Sequence, residues 1–115
     1  MLNPEALLAL VTETLDDIKA ENIVVIAVGH ITSITDNMII CTGNSSRHVK
    51  SISQRLVEAA KHKKHPPLGV EGEDDGEWVL VDLGDAVVHI LQAKAREFYD
   101  LERLWSYPAK HITSS

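Results

Sequence analysis

A chain of 115 residues has room for one hydrophobic core and not for two. Hydrophobic residues make up 44% of it and charged residues 24%, which excludes extended disorder. The net charge of −6, without a long basic block, argues against binding by neutralisation of nucleic-acid phosphates; a basic protein surface is the better charged partner.

Asn3 can cap a helix, Pro4 suits its first position, and Glu5 suits the positive end of its dipole. Leu7, Leu8, Val11, Leu15 and Ile18 then recur at helical spacing, so a helix is predicted over about residues 4 to 20. The N-terminal stretch lacks the basic segment of a signal peptide, and no apolar run reaches the roughly 20 residues of a membrane span, so a cytoplasmic protein is expected. IVVIAV (Ile23–Val28) is a continuous β-branched run, as expected of a strand covered on both faces. A polar stretch (Thr32, Ser33, Thr35, Asp36) leads into a second strand at Met38–Cys41. Cys41 is the single cysteine, which rules out an intrachain disulfide; within MIIC it reads as a small buried hydrophobe.

GNSS (Gly43–Ser46) makes a turn in which Ser45 or Ser46 can cap the next helix. That helix carries Val49, Ile52, Leu56, Val57 and Ala60 on one face and ends in HKKH (His62–His65), cations that suit a helix C-terminus. Pro66 and Pro67 stop it, LGVEG (Leu68–Gly72) is a third strand, and EDDGE (Glu73–Glu77) is an acidic loop. WVLVDLGDAVVHI (Trp78–Ile90) supplies two strands, and a helix is predicted from Ala93 to Trp105 with Phe98, Leu101, Leu104 and Trp105 as its apolar side. Asp100 is placed to cap a separate last turn, and after Tyr107–Pro108 the tail has nothing to bury. The order αββαβββα predicts one α/β domain, a mixed β-sheet with flanking helices.

A two-residue turn at Gly84–Asp85 sets the register of the last two strands. One face then carries Val79, Val81 and Leu83 against Ala86, Val88 and Ile90, and must be core. The other carries Trp78, Leu80 and Asp82 against Val87, His89 and Leu91, too apolar for a solvated face. Its cover is either one of the chain's own helices or a partner protein; a Trp flanked by aliphatics, with an acid and an imidazole nearby, has the composition of an interface hot spot.

Catalytic readings are weaker. Asp82 and His89 are diagonal neighbours, Asp85 is a turn residue, and the remaining histidines (His30, His48, His62, His65, His111) show no metal-ligand spacing. GNSSRH after a strand resembles the turn with which nucleotidyltransferases hold a triphosphate, and Arg47 could assist. The paired carboxylates that chemistry needs are missing, so helix capping is the better account.

TSITD (Thr32–Asp36), ICTGNSSRHVKSI, PLGVEG, WVLVDLGDAVVHI and REFYDLERLW follow one another in the chain. Together, from about Leu7 to Trp105, they resemble the ribosomal silencing factor family, also called RsfS or Iojap. The resemblance implies a nucleotidyltransferase-like topology without catalytic carboxylates, in a domain over residues 1–105 followed by a loose tail at 106–115. It implies no enzyme activity, no cofactor and no metal. It implies binding to the large ribosomal subunit through that subunit's ribosomal protein number fourteen, with little direct nucleic-acid contact. The bound factor would block joining of the small subunit and lower translation when nutrients are scarce. The family's blocks map onto Trp78, Leu80, Asp82, His89 and Tyr99, which are the expected interface, with Asp36 and Met38 at its edge. Asn37 and Met38 stand where many members have aromatics, and Leu83 where many have Tyr, so contact there would be made differently, by Met38. A free Trp78 face could also pair two copies of the chain. The alternative reading is a nucleotide-binding or nucleotidyltransferase-like enzyme with a degenerate site.

Overall fold

The computed structural model describes residues 2–29 and 32–101. Asn3 caps the first helix, its Oδ1 accepting from the Ala6 amide at 2.8 Å, and Pro4 opens α1 (Pro4–Asp17). The helix stops three residues before the expected end, because Lys19 enters the left-handed region at φ 61°. The chain then forms β1 (Glu21–Ala27), β2 (Asn37–Gly43), α2 (Ser46–His62), β3 (Gly69–Glu71), β4 (Trp78–Asp82), β5 (Ala86–Gln92) and α3 (Ala93–Tyr99). This is the expected αββαβββα order in one α/β domain. The expected helix from Ala93 is interrupted at Asp100, left-handed at φ 49°, and Leu101 is helical again, where a separate last turn was expected. Residues 102–105 of that expectation, the tail at 106–115, His30 and His111 lie outside the described residues.

The five strands lie in the order β1-β2-β5-β4-β3. β2 and β5 run parallel, Ile40 opposite His89, while the other three neighbours are antiparallel, so the sheet is mixed. Parallel pairing of β2 with β5 is the long-range step: α2, β3 and β4 all intervene in sequence. β1 is an edge strand with no fully buried residue, and Val25 is 41% exposed, which corrects the expectation of a strand covered on both faces. Its aliphatics are half-buried on both sides, Ile23 against one cluster and Ile26 against the other; that is why the run does not alternate.

The main core lies on one face of the sheet. Leu7, Val11 and Leu15 of α1 and Val49, Ile52, Leu56 and Ala60 of α2 pack there on Ile39, Cys41, Val79, Val81, Val88 and Ile90. Burial pushes the Cys41 thiol up to about 12, against a smaller pull from Arg96, so it is a packed thiol without nucleophilic character at neutral pH. Two histidines act as struts. His65 is buried, accepts from the Leu2 amide on Nδ1 (3.2 Å) and donates from Nε2 to the Leu83 carbonyl (2.8 Å), tying the N-terminus to the β4–β5 turn. This corrects its expected place among the cations at the end of α2, which stops at His62: a ring that accepts on one nitrogen and donates from the other is a packed strut. His48 accepts from the Asn44 amide (2.9 Å) and donates to the Ile18 carbonyl (3.0 Å), joining the start of α2 to the end of α1.

Candidate docking face

The β4–β5 hairpin has the register read from the sequence. Leu83 N–H donates to Ala86 O at 2.9 Å, and Trp78, Leu80 and Asp82 stand opposite Leu91, His89 and Val87. Gly84 has φ 89°, the positive value that the first position of such a turn favours in glycine. The Asp82 carboxylate accepts from the Gly84 amide at 2.9 Å and so braces the turn. It is not directed at His89.

The face opposite α1 and α2 runs across the sheet. Val24 and Ile26 of β1, Met38 and Ile40 of β2, Val87, His89 and Leu91 of β5, and Asp82, Leu80 and Trp78 of β4 share it by register. One end is covered by α3, whose Ala95 is buried with Val28, Met38, Ile40 and Leu91, while Leu101 packs on the same cluster. Arg96 holds that helix: its Nη1 donates to the Asn22 carbonyl (2.6 Å) and to Thr42 Oγ1 (2.8 Å). Asn22 is left-handed at φ 49°, in the irregular stretch of β1 between Glu21 and Val24. Trp78, Leu80, Asp82 and Val87 remain only half-buried.

An aromatic and imidazole group centres this face. The Trp78 indole donates from Nε1 to His89 Nδ1 at 3.0 Å, and the Tyr99 ring lies on Trp78 with centroids 4.6 Å apart. A Cβ at Gly72 (φ 89°) would overlap the Trp78 carbonyl, so glycine is what lets the β3–β4 loop close beside this residue. His89 is buried, and desolvation lowers its pKa from 6.5 to about 4, so near pH 7 it is a neutral acceptor for the indole.

The structure thus brings Trp78, Leu80, Asp82, His89 and Tyr99 to one region. Met38 is on the same face but buried, and His89 is buried too; both support the surface from beneath. Asp36 is exposed at the hairpin end of the sheet, where its amide donates to the Asp85 carbonyl at 3.1 Å. Leu83 faces the helix-side core, so a Tyr in its place would alter packing there. Two further residues, one half-buried and one exposed, lay outside the interface picked from the sequence. Val87 belongs to the face by the alternation already drawn. Phe98, read as part of an apolar helix side, is 80% exposed and stands edge-on to Tyr99, with centroids 5.0 Å apart.

The Gly43–Ser46 turn is occupied by capping. Ser45 Oγ accepts from the His48 amide at 3.0 Å, His48 Nδ1 takes the Asn44 amide, and a Cβ at Gly43 would stand 2.6 Å from the Val49 side chain. The amides of Asn44, His48 and Val49 are thus engaged within the turn itself. Among the described residues no group of three or more His, Cys, Asp or Glu could hold a metal ion, and no helix is long and apolar enough to cross a membrane.

Fold and site together define a small mixed-sheet α/β protein with one helix-covered face and one partly open, aromatic-centred face. The family model described as ribosomal silencing factor during starvation matches residues 2–114. The chain is 48% identical over 101 residues to the ribosomal silencing factor RsfS of Haemophilus influenzae, covering 88% of this chain and 99% of that protein. It is 40% identical over 105 residues to RsfS of Zymomonas mobilis, covering 91% of this chain and 79% of that one. A crystal structure of a protein from Chromobacterium violaceum superposes with a TM-score of 0.89 at 37% identity, over 91% of this chain and 88% of that one. This chain belongs to the ribosomal silencing factor family. These relatives are named as silencing factors, which are regulators, and not as enzymes.

Proposed function

We propose that this chain represses translation by docking its Trp78 face on the large ribosomal subunit, against ribosomal protein number fourteen, where it keeps the small subunit from joining. The observation that carries this reading is the half-open apolar face in which Trp78 is held by His89 and flanked by Tyr99. A large aromatic fixed by neighbours and ringed by aliphatics is a typical anchor of a protein interface. A net charge of −6 suits a basic ribosomal protein and disfavours bare RNA as the main contact. On this reading Trp78, Leu80 and Tyr99 make contact, Asp82 and Asp36 supply acidic groups at the rim, and Met38 and His89 set the level of the surface. The mechanism is occupancy, with no chemical step and no cofactor. The same face pairs two copies of the chain when no ribosome is present, and the repression acts when nutrients are scarce, a reading supported by the family's description as a silencing factor during starvation.

Co-sedimentation with purified large subunits tests the proposal. The unaltered chain is expected to pellet with them and to reduce small-subunit joining. Trp78→Ala and Leu80→Lys, each verified as folded by circular dichroism, are expected to weaken binding by about 2 kcal/mol or more, roughly thirtyfold. Failure of the unaltered chain to pellet would overturn the ribosomal reading; equal binding by both variants would overturn the face.

A further inference from the structure

On the helix side of the sheet, away from Trp78, a groove of about 520 Å³ runs between α2 and β3. Its floor is apolar: Val57 of α2 and Val70 of β3 are half-buried against the main core, and Pro66 and Pro67 line it as well. Among the described residues β3 pairs with β4 alone, so its other edge borders this groove. An open strand edge offers main-chain donors and acceptors to any extended segment laid beside it.

The groove is also electrically lopsided. Glu58 and Glu73 line it, and beyond Glu73 the loop continues through Asp74 and Asp75, with the Lys50 ammonium donating to the Asp74 carbonyl at 3.0 Å. Lys61 is the one cation among the lining residues. Gly69 adds a separate observation. Its φ is not positive, and a Cβ there would meet nothing within 4 Å, so neither backbone conformation nor packing within the chain calls for glycine. A bare position on an edge strand leaves room for another main chain to come close. Leu68, next to it, is 72% exposed.

We propose that this groove docks an extended, basic segment of a protein, added as a further strand along β3. Alternate apolar side chains of the segment enter between Val57 and Val70, and its cations lie toward Glu58 and Glu73. The strand edge supplies binding common to any sequence, the floor selects apolar residues at every second position, and the acidic lip selects positive charge. This does not rest on the ribosomal reading, since it uses the other side of the sheet.

The test is an amide NMR titration of the full chain with a short peptide alternating lysine and valine, and with its glutamate-for-lysine counterpart. The lysine peptide is expected to shift the amides of Gly69, Val70 and Glu71 and to slow their hydrogen exchange. The double reversal Glu58→Lys with Glu73→Lys, at exposed positions, is expected to weaken that peptide roughly tenfold and to strengthen the glutamate peptide. A Val57→Asp variant is expected to weaken both peptides. Shifts confined to the Trp78 face, equal affinity for the two peptides, or unchanged affinity after charge reversal would each overturn the proposal.

Discussion

On the helix side of the sheet, Val79, Val81, Leu83, Ala86, Val88 and Ile90 are all buried under α1 and α2. One residue along on the same two strands, Trp78, Leu80, Asp82 and Val87 point the other way and keep part of their surface in water. The first face is aliphatic and without polar side chains at these six positions. The second mixes aliphatics with an indole, an imidazole and a carboxylate, each held by a named hydrogen bond. The difference teaches what each face is for. Shape-filling aliphatics bring a fold together, whereas satisfied polar groups around a large aromatic leave a surface that tolerates water and still binds when water is removed.

That comparison can be broken most forcefully from the helix side. Leu56→Ala removes a fully buried side chain under α2 and is expected to cost about 2–5 kcal/mol of stability, read from urea midpoints. A loss below 1 kcal/mol would mean that this face is not the principal core.

The next effect comes from His89, whose pKa falls from 6.5 to about 4 on folding because burial disfavours its charged form. As pH drops, the unfolded chain takes up this proton first. His89 therefore contributes full stability above about pH 6.5 and loses it progressively toward pH 4, by on the order of 3 kcal/mol. Urea unfolding at pH 7, 5.5 and 4 should show this slope in the parent and a shallower one in His89→Gln. Equal slopes would remove His89 from the account.

The smallest effect sharpens the aromatic centre itself. Trp78→Phe keeps a ring over Tyr99 but deletes the N–H that His89 accepts, and is expected to cost about 1 kcal/mol of stability. In His89→Gln the same change should cost less, which a double-mutant cycle would read directly.

Much of this arrangement is legible in the chain because it is local. The Gly84–Asp85 turn fixes the hairpin register by counting, and period-two alternation then sorts the side chains of β4 and β5 onto their faces. Asn3 and Ser45 are recognisable caps because they precede helical periodicity. What the chain conceals depends on distant neighbours. Ile23–Val28 looks like a central strand, since composition does not say that β1 ends up at the sheet edge. His48 and His65 carry no local sign of the carbonyls they reach, 30 and 18 positions away. Asp82 belongs to the turn for the same kind of reason as Asp85, yet its place on the strand suggests a free carboxylate. At Phe98 helical spacing misleads, because α3 buries Ala95 and leaves that ring outside.

The central claim is that the Trp78 face, and not the helix side, meets the large ribosomal subunit. Side-chain footprinting of the chain, free and bound to purified large subunits, reads both faces in one experiment. Protection of Trp78, Leu80 and Tyr99 with unchanged reactivity along the outer sides of α1 and α2 is the result expected. Protection of α1 and α2 with Trp78 and Leu80 as reactive as in the free chain would contradict it.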